Sequence, residues 1–74
     1  MNWYKKAKVV NVAGEQMTLV SADIKSLINY ELYYGKIKAA IRVKDIEVGE
    51  VIHLVVYPNH EKALQVYQET IQKA

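Results

Sequence analysis

The sequence predicts an α+β fold: a small, bent antiparallel sheet of four or five strands, compatible with barrel-like closure, with one C-terminal helix packed on it. Three observations carry this expectation. Residues 28–43, INYELYYGKIKAAIRV, alternate apolar and mostly polar side chains on both sides of Gly35-Lys36. Residues 51–57, VIHLVVY, are the most strand-like run in the chain, and Pro58 closes it. From Asn59 onward the apolar period lengthens to that of a helix.

Trp3 and Tyr4 open the chain, and Asn2 to Lys6 can form a first helical turn before a strand over roughly residues 6–13, where Val9, Val10 and Val12 gather. Gly14-Glu15 reads as a turn and Gln16 to Ser21 as a second strand. Residues 21–26 are ambiguous. Ser21 can cap a helix lined by Ile24, Leu27, Ile28 and Leu32 and ended by Gly35, which makes the chain a ββαββα arrangement. Against that helix stand three tyrosines and several other mediocre helix formers. The hairpin explains the same residues better. With a two-residue Gly35-Lys36 connection, Tyr34 faces Ile37, Leu32 faces Ala39, Tyr30 faces Ile41 and Ile28 faces Val43, all apolar pairs.

Residues 44–50 read as a polar connector with Gly49 at a positive-φ position. In the strand that follows, strict alternation sets Ile52, Leu54 and Val56 on one face and Val51, His53, Val55 and Tyr57 on the other. Asn59 stands at a natural N-cap. Beyond it His60, Ala63, Leu64, Tyr67, Ile71 and Ala74 fall on one stripe, with Glu61 in the first turn and Lys73 in the last, as the helix dipole favours.

Seventy-four residues make a single domain, residues 1–74, with no linker or low-complexity tract. A chain of this size buries only about 60% of the surface it exposes when unfolded, so tight packing or self-association has to support it. It has no cysteine, which excludes disulfides and thiolate zinc sites. Neither a cofactor nor a metal is expected, since two histidines and three isolated glycines offer no ligand spacing and no phosphate loop. The longest apolar run is far too short to span a bilayer and no secretory leader is apparent, so the expected location is cytoplasmic.

Charge is uneven. Residues 1–44 hold eight Lys/Arg against three acids, and residues 45–74 hold two lysines against five acids. Such asymmetry suits an anionic partner or complementary contact between copies.

No residue type in this chain stands in a catalytic pattern. Ser21, Ser26, Thr18 and Thr70 lack a nucleophile motif, and Asp23 with Glu31, or Asp45 with Glu47, lack an apolar pocket around them. The ordinary account of His53 is a half-buried strand histidine, and of His60 an edge residue of the helix. The expected function is therefore not enzymatic. It is that of a small binding module acting through protein–protein contacts and self-associating as a homodimer. Val51, His53, Val55 and Tyr57 are its candidate interface, because one helix covers only one face of a sheet. The rival expectation is nucleic-acid binding by the outer hairpin face, with Tyr33, Lys36, Lys38 and Arg42 supplying stacking and phosphate contacts.

Overall fold

The computed structural model describes residues 8–74. Expectations for the first helical turn and for the start of the first strand lie outside the described residues. Five strands, β1 (Val9–Val12), β2 (Glu15–Lys25), β3 (Ile28–Tyr34), β4 (Ala39–Asp45) and β5 (Glu50–Tyr57), precede one helix, α1 (His60–Lys73). The strands pair antiparallel in the order β1-β2-β3-β4-β5, a meander that curls into a half-barrel. The α+β expectation holds, and the ββαββα alternative does not, because residues 22–34 are two strands and their turn.

That turn is Ser26-Leu27, with φ of 50° and 67° between the paired residues Lys25 and Ile28. Two left-handed central residues match the right-handed twist of the flanking strands. Ala13-Gly14 makes the same kind of turn between β1 and β2. Gly49 has φ +75°, as the connector requires. Asn59 caps α1, its Oδ1 accepting the Lys62 N–H at 2.8 Å.

The β3–β4 hairpin corrects the expected register. Tyr34 faces Ala39, Leu32 faces Ile41, Tyr30 faces Val43 and Ile28 faces Asp45. The connection is the four residues 35–38, closed by the Gly35 N–H on the Lys38 carbonyl, and Ile37 is exposed. The slip is two residues, so every side chain keeps its expected face. What the new register gains is Glu31 opposite Arg42, an opposite-charge cross-strand pair.

Two cores form, one on each face. Under α1, Leu32, Ala39, Ile41 and Val43 pack against Ala63 and Tyr67, with Tyr30, Tyr34 and Tyr57 at the margin. On the other face Val12, Met17, Tyr33 and Ala40 are buried together, with no helix over them among the described residues. Curvature makes this second core possible. Irregular register between Leu19 and Ser21 and between Val43 and Lys44 bends the sheet so that this face folds toward itself.

Candidate interaction surface

Among the described residues β5 is an edge strand, paired on one side only with β4. Its bulge decides which side chains it shows. Val43 faces His53 but Lys44 faces Val51, so Ile52 is the extra residue. The bulge breaks the alternation expected from the sequence and moves Val51 to the side of Leu54 and Val56. His53, Val55 and Tyr57 lie on the α1 side, opposite Val43, Ile41 and Ala39. Tyr57 packs against the helix-side core, Val55 is half-buried, and His53 is exposed. The four candidate interface residues therefore do not share a face. The open apolar surface is made by Val51, Ile52, Leu54 and Val56, which are 47%, 55%, 43% and 39% exposed.

The candidate nucleic-acid residues are also divided. Tyr33 is 0% exposed and offers no ring face to a base. Arg42 turns inward: its Nε donates to Glu31 Oε1 at 2.8 Å and its Nη2 to the Tyr33 hydroxyl at 2.7 Å. The guanidinium carbon stands 5.0 Å from the centre of the Tyr33 ring. Glu31, only 2% exposed, also accepts from Asn29 Nδ2 at 3.2 Å and has Lys8 Nζ at 4.0 Å. Burial acts to lower the Arg42 pKa, but the hydrogen bond and charge of Glu31 outweigh it and hold the guanidinium charged. Burial, reinforced by Glu31, raises the Tyr33 hydroxyl above its ordinary value. Lys36 and Lys38 are exposed in the 35–38 loop at one end of the sheet, apart from this network.

The carboxylate pairs do not assemble an acid–base site. Asp23 faces Tyr30 and Glu31 faces Ala22, so Asp23 and Glu31 project from opposite sides of the sheet. Asp45 instead accepts the Glu47 and Val48 N–H groups in its own turn. On the helix side Tyr67 donates its hydroxyl hydrogen to Asp23 Oδ2 at 2.7 Å and lies 2.9 Å from the Tyr30 carbonyl. Burial first, and then Asp23, push the Tyr67 hydroxyl up to about 12. An open cleft of about 500 Å³ lies beside it, bordered by Val20, Ser21, Leu64 and Ile71. His60 is half-buried, stacked on Tyr34 at 4.0 Å between ring centres, and its Nε2 donates to the Gly35 carbonyl at 2.9 Å. It ties the helix to the 35–38 loop. Among the described residues no three His, Asp or Glu side chains gather as metal ligands, and no helix is long and apolar enough to cross a membrane.

No protein-family model, curated protein or solved structure matches this chain.

Sequence reasoning missed both the bulge and the inward Glu31–Arg42–Tyr33 network. Nothing in VIHLVVY marks Ile52 as an extra residue. The network did leave a signal: a two-residue slip of the hairpin places Glu31 directly across from Arg42.

Proposed function

We propose that this chain is a non-catalytic protein–protein interaction module that self-associates as a homodimer. The observation that supports the reading is the row Val51, Ile52, Leu54 and Val56, exposed on an edge strand and on the face that α1 leaves open. Covering a large apolar side chain recovers about 1.5–3 kcal/mol, a substantial gain for a domain of this size. The inward-turned Tyr33 and Arg42 favour this reading over nucleic-acid binding. Size-exclusion chromatography with light scattering tests it. The wild-type chain runs as a dimer at tens of micromolar, and Leu54→Lys runs as a monomer with an unchanged circular-dichroism spectrum. A wild-type monomer at hundreds of micromolar overturns it.

A further inference from the structure

The homodimer reading leaves open how two copies meet, and the structure holds a specific answer that rests on that reading. Among the described residues the sheet has two unpaired edges, and they are not alike. β1 is four residues long and begins beside Lys8. β5 is eight residues long, and between Glu50 and Pro58 it carries no Lys, Arg, Asp, Glu or proline. Short length, charge and proline are the devices that keep a sheet edge from pairing. β5 lacks them over seven residues.

We propose that the second copy joins edge to edge, β5 antiparallel to β5 of the partner, about a two-fold axis through Val55. The two sheets then form one continuous ten-stranded sheet. Two-fold pairing of antiparallel strands sets each residue opposite one on the same face, so both helices lie on one side. The register follows from the bulge. Ile52 interrupts the ladder, so the regular part of β5 is His53–Tyr57, and its middle residue is Val55. With Val55 opposite its own equivalent, Leu54 faces Val56 of the partner subunit on the open side. Each such cross-strand pair covers the flanks of both side chains, so edge pairing takes part of the exposed area of Leu54 and Val56 out of water. On the helix side His53 comes opposite Tyr57 of the partner subunit.

Charge agrees with this direction. Residues 45–50 contain Asp45, Glu47 and Glu50 and no cation, and they lie at the start of β5. Residues 35–38 contain Lys36 and Lys38 and no acid, and they lie at the other end, where Ala39 faces Tyr57. Antiparallel pairing brings the acidic end of each copy alongside the basic end of the other. Parallel pairing would set like beside like.

A single-cysteine scan tests the register, because the chain has no cysteine of its own and every cross-link reports the introduced position. His53→Cys, Leu54→Cys, Val55→Cys and Val56→Cys are each oxidised under mild conditions, with light scattering run on the reduced proteins. A residue on the axis meets its equivalent at roughly 4.5–5.5 Å between Cα atoms, whereas neighbours one position off the axis stand about 7–8 Å apart. Val55→Cys is expected to cross-link at least tenfold faster than the other three. Amide exchange on the unmodified protein gives a second reading, with outward β5 amides exchanging at least tenfold more slowly in the dimer than on dilution to monomer. Fastest cross-linking at another position overturns the register. A dimer whose β5 amides gain no protection overturns edge pairing while leaving self-association in place. A monomer under all conditions overturns both.

Discussion

The two faces of the sheet solve the same problem with different materials. On the helix side Leu32, Ala39, Ile41 and Val43 meet Ala63 and Tyr67, and burial is supplied by a second layer. On the other side no second layer exists among the described residues. Tyr33, Met17 and Val12 are buried together on the curved face, and a charged trio of Glu31, Arg42 and Lys8 sits beside them. The face covered by the helix is mostly apolar, with the Tyr67–Asp23 hydrogen bond at its margin. A face closed by bending is buried at its centre and open at its rim, so polar groups stand next to the core and apolar ones end up exposed on β5. The contrast explains why an acidic side chain is among the most buried in the protein while Ile52 is not.

The largest expected effect comes from the helix side. Leu32→Ala removes a fully buried side chain between sheet and helix and is expected to destabilise by roughly 3–4 kcal/mol in urea unfolding. A loss below about 1.5 kcal/mol would mean that the helix repacks freely and that this face is the more adaptable of the two.

The second effect probes the curved face. Glu31→Leu strands Arg42 beside Tyr33 without its carboxylate, and we expect a loss of about 3 kcal/mol. The double variant Glu31→Leu/Arg42→Met should recover most of it, because removing both partners leaves no uncompensated charge. Equal stability of the single and double variants would show that the pair is solvated rather than structural.

The smallest effect sharpens the comparison through pH. Tyr67→Phe gives up the hydroxyl held by Asp23 and the Tyr30 carbonyl, about 1–1.5 kcal/mol at pH 8. In the folded protein this hydroxyl ionises only at about 12, whereas in the unfolded chain it ionises near 10. Its contribution is therefore complete below pH 10 and is lost as pH rises toward 12, because the unfolded state releases the proton first. Guanidinium unfolding of wild type and Tyr67→Phe between pH 8 and 11 should show the wild-type advantage shrinking above pH 10. A constant difference would place the Tyr67 hydroxyl in solvent.

Much of the helix side was legible in the sequence. Tyr30, Leu32, Ile41 and Val43 were assigned to one face because alternation survives a register error of two residues. Pro58, Asn59 and the stripe through Ala63 and Tyr67 marked the helix by chemistry that acts within a few residues. The curved face was less legible. Glu31 and Arg42 read as solvent-facing because they are charged, and only the bend of the whole sheet turns them inward. The hairpin loop was misjudged because Ile37 looks like a partner for Tyr34, yet it is exposed, and the Glu31–Arg42 pair fixes the register instead. Ser26-Leu27 escaped notice because a two-residue left-handed turn usually announces itself with asparagine and glycine. One bulge at Ile52, an irregularity with no local signature, divides the candidate interface residues between two faces.

The strictly sequential strand order also sets a timetable for folding. Each strand pairs with the one made just before it, across a connection of two to four residues, so little chain entropy is lost in closing each loop. Hairpins of this kind form in about 1–10 μs. The whole ladder from β1 to β5 needs only these local connections, but the layer that covers Leu32 and Ile41 does not form locally. Tyr67 must come back across 44 residues to reach Asp23. During folding the helix side of the sheet therefore stays uncovered until the 14 residues of α1 dock on it. In that interval the sheet shows its helix side as well as the exposed row on β5, and it is then that it is most open to the wrong partner.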